Sequence, residues 1–198
     1  MGEFNLHKYS GMKYEAKQTI TFSDTFSLSD IDKEMQVHLG VSSVTVKNCN
    51  QAAFDYFVSK YADSYKSIYF FYNTQVKDLS ALSKLRNVKY LLFYGFRAAP
   101  LWDMRQNYSL KGIMISESKK LLYDLEQLQY APAIEELLLF SNTFSKYPVK
   151  TITPLKNCPN LKRLFMNFNT EDKSFIPQEF DFLELFKYQC DRKRNFTF

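Results

Sequence analysis

The chain repeats one short phrase of apolar residues, and this repetition restricts its fold more than any other feature. The clearest copy has Leu161, Leu164 and Met166 as apolar anchors, followed by Asn169. The same spacing fits six times from Val41 onward, with first anchors 22 to 27 residues apart, a period typical of solenoid proteins. The six sets of anchors are Val41-Val44-Val46, Tyr65-Ile68-Phe70, Val88-Leu91-Phe93, Leu110-Ile113-Ile115, Ile134-Leu137-Leu139 and Leu161-Leu164-Met166.

Each copy of the phrase predicts a short strand. Two anchors separated by one residue point to the same side of a strand, and the residue between them points to the other side. Strands of successive copies would then stack as a parallel sheet. A turn follows each strand, where an asparagine side chain can bond backbone groups left unpaired by the turn. That place is held by Asn73, Asn142 and Asn169 in copies two, five and six, by Cys49 in copy one, and by Phe96 and Ser118 in copies three and four.

The segments that connect the predicted strands differ in character. Apolar residues at helical spacing predict short helices after copies one, two and four, each with a single apolar face. The third and fifth connections contain Pro100, Pro148 and Pro154, which favours irregular or one-turn structure.

The two ends of the chain depart from the repeat. Residues 1–11 look like an expression tag, and residues 12–40 predict an N-terminal cap. Within that cap, residues 19–22 alternate like a strand, and residues 29–32 predict the start of a helix that buries Ile31 and Met35. The repeats occupy residues 41–170. Residues 171–198 predict a C-terminal capping helix, through Phe180, Phe182, Leu183 and Phe186, and a basic tail.

Two stretches carry a family resemblance. Residues 78–88, Asp-Leu-Ser-Ala-Leu-Ser-Lys-Leu-Arg-Asn-Val, resemble the internalin-type phrase of leucine-rich repeats, and residues 155–161, Leu-Lys-Asn-Cys-Pro-Asn-Leu, are similar to the cysteine-containing class. The resemblance implies an α/β leucine-rich repeat solenoid. Its short parallel sheet would line a concave face, with helices or irregular connections on the convex face and a cap at each end. Proteins of this superfamily share a scaffold and use it to bind unrelated partners, most often other proteins.

The composition of the chain limits the classes of function that it can have. The chain of 198 residues is 45% hydrophobic, which is enough for one domain with a continuous core. Its 26 Lys and Arg against 21 Asp and Glu give +5, without the clustered basic face of a nucleic-acid binder. No apolar run is long enough for a signal peptide or a membrane span. Cys49, Cys158 and Cys190 suggest neither a disulfide framework nor a metal site, so we expect a cytoplasmic protein, unless a native leader was removed.

The sequence contains no recognisable set of catalytic residues. His7 and His38 are its two histidines, and it contains no nucleophile elbow, phosphate loop or zinc-protease motif. The adjacent carboxylates Glu135 and Glu136 would point to opposite faces of a strand, so they do not form an acid and base pair. We therefore expect a protein that is not an enzyme and needs no cofactor.

The outward strand positions are the candidate functional residues. Eight of the twelve positions between or just after the paired anchors are apolar or aromatic, where a sheet with one face in water would carry polar residues. Glu117, Glu136 and Arg163 would form a charged rim around this stripe. The expected partner-binding residues are Tyr69, Phe71, Tyr72, Tyr90, Leu92, Tyr94, Met114, Glu117, Glu136, Leu138, Phe140, Arg163, Phe165 and Phe168.

Two explanations of the stripe remain open at this point. The N-terminal segment, the C-terminal helix or a second copy of the chain could cover it, or aromatic residues could be there because they favour strands. Alternatively, it is an exposed patch that binds another protein or an extended peptide. Two further functions fit the same residues: an immunity or antitoxin protein that neutralises a toxin, and a structural subunit that forms a homo-oligomer.

Overall fold

The strands of the protein lie side by side in the order in which they occur along the chain. The computed structural model describes residues 18–197 except 24, 39, 142–148, 169, 173–176 and 190–194. In this part of the chain one sheet holds nine strands, of which β1 to β8 are parallel and β9 runs antiparallel to β8. The strands are β1 Thr19–Thr21, β2 Ser43–Lys47, β3 Ser67–Phe71, β4 Tyr90–Tyr94, β5 Gly112–Ser116, β6 Glu136–Phe140, β7 Arg163–Met166, β8 Leu185–Gln189 and β9 Asn195–Thr197.

The six predicted strands are confirmed as β2 to β7. Neighbouring strands pair anchor to anchor, so that Ile68 lies beside Leu91 and Phe70 lies beside Phe93. The paired anchors are buried on one side of the sheet, where they form the main core with the connecting segments. The result is an α/β arrangement with a continuous parallel sheet, compatible with a solenoid.

Helices are short and fill only some of the connections. The α-helices are α1 Leu28–Gln36, α2 Gln51–Lys60, α3 Lys119–Tyr123 and α4 Thr153–Lys156. The 3₁₀ helices are Ala62–Ser64, Ser80–Lys84, Glu126–Tyr130 and Pro177–Phe180. The first and fourth connections contain the predicted α-helices, whereas the second forms a 3₁₀ helix instead.

The third connection has no helix and is held by one buried amide. Trp102 donates a hydrogen bond from Nε1 to Asn107 Oδ1 at 2.7 Å. Asn107 Nδ2 in turn donates to the carbonyl oxygens of Leu82 and Leu85, at 2.9 and 3.0 Å, in the preceding connection. These bonds satisfy buried backbone groups without a helix, which explains how the irregular segment predicted from Pro100 can still pack.

Polar side chains in the turns after β3 and β5 bond the backbone of the preceding repeat. Asn73 Oδ1 accepts a hydrogen bond from the Cys49 backbone N–H at 2.6 Å, and Asn73 Nδ2 donates to the carbonyl of Val46 at 2.9 Å. Ser118 departs from the asparagine pattern but accepts from the backbone N–H of Phe96 at 2.9 Å in the same way. The predicted turn residues Asn142 and Asn169 lie outside the described residues.

The strand and the helix predicted near the N-terminus both form, with a shifted start of the helix. Strand β1 pairs with β2, and helix α1 buries Ile31 and Met35. Helix α1 begins two residues earlier than the sequence analysis predicted. Its N-cap is Ser27, which forms a reciprocal capping box with Asp30.

The C-terminal segment is not the closing helix that the sequence predicted. It forms a 3₁₀ helix at Pro177–Phe180 and then strand β8, in which Phe186 pairs with Leu164 and is buried. Apolar residues three apart fit a helix, but the outer edge of β7 carries backbone groups that need partners, and a further strand supplies them. The basic residues 192–194 lie outside the described part of the chain.

One polar network fastens the N-terminal cap to the first repeat. Asp32 of α1 accepts hydrogen bonds from Tyr56 Oη at 2.8 Å, from Lys60 Nζ at 2.9 Å and from the Tyr61 hydroxyl. The Tyr61 hydrogen bond and then the Lys60 hydrogen bond lower the pKa of Asp32 from 3.8 to about 2. The ionised carboxylate therefore stabilises the docking of α1 on α2.

The stability of this docking should depend on pH in the acid range. Because the folded pKa of Asp32 is lowered, its contribution is present above about pH 4 and is lost as the pH falls toward 2. We expect wild type to exceed Asp32→Asn in urea midpoint above pH 4, with the difference shrinking at lower pH. A difference that stays constant from pH 6 to pH 2 would contradict this role.

The anchors should carry most of the folding free energy. Leu137 is fully buried in the main core, so Leu137→Ala should cost about 2 to 5 kcal/mol in urea unfolding. Tyr108→Ala, at an exposed position, serves as the control and should change stability by less than about 0.5 kcal/mol. Equal effects of the two substitutions would argue against the assigned core.

Candidate functional site

The side of the sheet opposite the main core carries most of the predicted binding residues. We call it the second face; it is formed by the first, third and fifth residues of each five-residue strand. The strand register aligns the third residues of β2 to β7 in one row across the sheet. That row consists of Thr45, Tyr69, Leu92, Met114, Leu138 and Phe165.

The centre of the second face is buried. Leu92, Met114, Leu138 and Phe165 form a second apolar cluster, separate from the main core, and Tyr69, Tyr90 and Phe140 pack against it. Leu138 is only 2% exposed. These four residues therefore do not form the exposed stripe expected from the sequence.

Three aromatic side chains stand together where β3 and β4 end. We call Phe71, Tyr72 and Tyr94 the aromatic cluster. The rings of Phe71 and Tyr94 stack with centroids 4.9 Å apart, and Tyr72 meets them edge-on at 4.5 and 5.1 Å. Tyr72 is 49% exposed, and Phe71 and Tyr94 are half-buried. The cluster thus presents fixed aromatic surface on the second face.

Interactions within the cluster orient its polar groups. A hydrogen bond with the Tyr72 side chain and then burial raise the pKa of Tyr94 to about 12, so its hydroxyl stays protonated at neutral pH. On the neighbouring strand, Lys47 places its ammonium group 5.1 Å from the centre of the Phe71 ring, a cation–π contact. The cluster therefore combines apolar faces, hydroxyl groups and one positive charge.

A left-handed turn sets the position of Tyr72. The residue after each of β2 to β5 has positive φ: 58° at Asn48, 53° at Tyr72, 71° at Gly95 and 51° at Glu117. Only Gly95 adopts this conformation without steric cost, and a Cβ on Gly95 would come 2.7 Å from Tyr72 Cδ1. The absence of a side chain at Gly95 thus lets the Tyr72 ring lie against the next repeat.

A cavity of about 420 Å³ adjoins the aromatic cluster on the side of β1 and β2. The cavity has room for a side chain next to Tyr72, between the ring of the buried Phe22 and polar groups such as those of Asn48 and Thr74. Its lining residues are Phe22, Ser23, Asn48, Cys49, Tyr72, Thr74 and Gln75.

The expected charged rim is only partly exposed. Glu136 is 1% exposed and forms an ion pair with Arg163, whose Nε lies 3.2 Å from Glu136 Oε2. This is a correction, because the sequence placed Glu136 at a solvated rim. Tyr90 lies close to this pair, and burial and then the charge of Glu136 raise the Tyr90 pKa. Glu117 lies in a turn, where its Oε2 accepts a hydrogen bond from Ser141.

Phe168 does not belong to the second face. It is 1% exposed and packs in the main core, contrary to the expectation that it extends the stripe. Strand β7 ends at Met166, directly at its last anchor, whereas β2 to β6 continue one residue beyond theirs. Asn167 therefore already lies in the turn, where it bonds the backbone of Ser141 through both amide atoms, and the chain turns Phe168 inward.

The sequence analysis missed two features of the site. Gly95 was not singled out, although a glycine directly after a predicted strand signals a backbone conformation that other residues avoid. Ser116, predicted as an outward position, is fully buried between the strands that carry Tyr94 and Phe140. Its small side chain separates the aromatic cluster from Phe140.

The described residues show little that points to redox or metal chemistry. Burial raises the pKa of the Cys49 thiol and raises that of Cys158 to about 12, so both are unreactive thiols at neutral pH. Across the described ranges, no three His, Cys, Asp or Glu side chains lie close enough to hold a metal ion. None of the helices in these ranges has the length and apolar character that crossing a membrane requires.

The contact between Tyr72 and Gly95 can be tested by mutation. Gly95→Ala should destabilise the protein by about 1 to 2 kcal/mol through its positive φ alone, and further through the clash with Tyr72. In a Tyr72→Ala background the clash disappears, so the same substitution should cost less. Urea unfolding of the four proteins measures this coupling, and a coupling energy of zero would refute the contact.

No protein-family model, curated protein or solved structure matches this chain.

Proposed function

We propose that the chain is a leucine-rich repeat solenoid that binds an extended segment of another protein on its second face. The repeat class is supported by six copies of the anchor phrase, each of which becomes one parallel strand in register with the next. Sheet surfaces of such repeats serve as binding surfaces without catalysis. The free thiols of Cys49 and Cys158 fit a cytoplasmic location for this role.

The aromatic cluster is the observation that carries this proposal. Tyrosine is among the residues most often found to dominate binding energy, because it offers large contact area at little cost in side-chain entropy. Here Phe71, Tyr72 and Tyr94 already hold one another in place before a partner arrives. The buried apolar cluster at the centre of the second face keeps these strands rigid, so little further ordering is needed on binding.

The binding role predicts a strong and local mutational effect. Peptides selected from a random display library on wild type should bind Phe71→Ser/Tyr72→Ser/Tyr94→Ser at least about tenfold more weakly, because the variant loses the main contact. Fluorescence anisotropy measures the affinities, and circular dichroism checks the fold. The single change Tyr72→Ser, at a largely exposed ring, tests the same contact with less risk to folding.

The chain offers a matched control. Tyr108, Tyr123 and Tyr130 are exposed and lie outside the second face, so replacing all three by Ser should leave peptide affinity unchanged. Equal affinity of the cluster variant and wild type would overturn the proposal. Light scattering of the purified protein tests the alternative that the chain forms a homo-oligomer. If wild type is a dimer and the cluster variant is a monomer, this surface serves self-association.

A further inference from the structure

The residues that immediately precede the strands form a charged row along one border of the second face. The backbone N–H of Lys89 donates to the carbonyl of Lys66 at 2.8 Å, and that of Lys111 donates to Lys89 at 2.7 Å. Glu135 and Lys162 continue the row in the same manner. These bonds join adjacent strands. The backbones of neighbouring members of the row are therefore roughly 4.8 Å apart across the sheet.

Charge is partly neutralised in one half of the row and unbalanced in the other. Glu135 forms ion pairs with Lys111 at 2.5 Å and with Lys162 at 3.6 Å. Lys66 and Lys89 are both exposed, and within the described ranges no acidic side chain lies within ion-pair distance of either. Like charges on adjacent strands repel each other, so the fold tolerates a repulsion that a bound anion would relieve.

The two unbalanced lysines and the aromatic cluster belong to the same two strands. Lys66 precedes β3, which ends at Phe71, and Lys89 precedes β4, which ends at Tyr94. On each strand the lysine and the aromatic residue are five positions apart, or roughly 16 Å at 3.3 Å per residue. An extended segment that lies along β3 and β4 would therefore span both sites with about five residues of its own.

The charges around these sites favour a short acidic segment over a nucleic acid. A nucleic-acid backbone needs a continuous basic groove. Here the row of positive charges is interrupted at Glu135, which forms ion pairs, and it ends near the exposed Glu184. Glu117 lies on the opposite border of the sheet, one strand beyond the aromatic cluster. Two lysines side by side match one or two carboxylates at one end of a peptide.

We propose that Lys66 and Lys89 bind the acidic end of an extended protein segment whose apolar end, about five residues away, contacts the aromatic cluster. This inference rests on the proposed function and adds the chemistry and length of the segment. The lysines select for the acidic end and fix the segment's direction along β3 and β4. The aromatic cluster supplies most of the affinity.

Two synthetic peptides test this inference, since the segment can run in either direction along the strands. They are fluorescein-labelled Glu-Glu-Thr-Val-Thr-Leu-Phe and its reverse sequence. We expect at least one to bind wild type, and Lys66→Gln/Lys89→Gln to weaken that binding about tenfold at low salt. The difference should shrink at 0.5 M NaCl, because these lysines are exposed to solvent.

Matched variants separate the local effect from net charge. Lys120 and Lys150 are exposed and lie away from the second face, so Lys120→Gln/Lys150→Gln removes the same charge and should bind like wild type. Equal losses in the two double variants would overturn the inference. So would equal affinity for the peptide in which both glutamates are replaced by lysine, or failure of both acidic peptides to bind wild type.

The same measurements distinguish this inference from the proposed function. If the aromatic cluster variant loses binding while Lys66→Gln/Lys89→Gln does not, the inference fails and the proposed function stands. If the aromatic cluster variant binds as well as wild type, the proposed function fails. Tighter, Lys66- and Lys89-dependent binding of a labelled uridine oligonucleotide would overturn the inference in favour of a nucleic-acid site.

Discussion

The parallel hydrogen-bond register is the constraint on which the rest of the structure depends. Because each strand from β2 to β6 pairs residue for residue with the next, every position of the repeat becomes a straight column across the sheet. Two columns, those of the paired anchors, build the core, and three columns build the second face. One further column precedes the strands, and another forms the left-handed turns after β2 to β5. A side chain therefore acquires its function from its position within the repeat, and its neighbours are residues some 22 to 27 positions away in the chain.

The sequence allowed much of this arrangement to be predicted, because paired anchors separated by one residue specify strand, face and register together. Prediction from the sequence failed where the structure of a segment depends on the neighbouring strands. The apolar residues before and in β8 fit a helix by spacing, and only the open edge of β7 explains a strand. Phe168 and Glu136 stand at outward positions in the pattern, yet an early turn buries one and an ion pair with Arg163 accompanies burial of the other.

The second face combines two kinds of surface that the sequence could not separate. Alternation marks Leu92 and Tyr94 equally as outward residues, but Leu92 is buried within its own cluster and Tyr94 is half-exposed in another. Exposure on this face depends on the size of adjacent side chains, such as Ser116 beside Tyr94, and on the backbone turn at Tyr72. Neither property follows from hydrophobic periodicity. The candidate site is consequently narrower than the predicted stripe and lies mainly on β3 and β4.

The contact of Tyr72 with Gly95 makes two repeats contribute to one candidate site. The ring comes from one repeat, and the space that it occupies comes from the next, so neither repeat alone contains the candidate site. Repeat proteins diversify by gaining, losing and exchanging repeats. In this chain an exchange that separates β3 from β4 would destroy the candidate site, whereas moving both together would carry it intact into another repeat array.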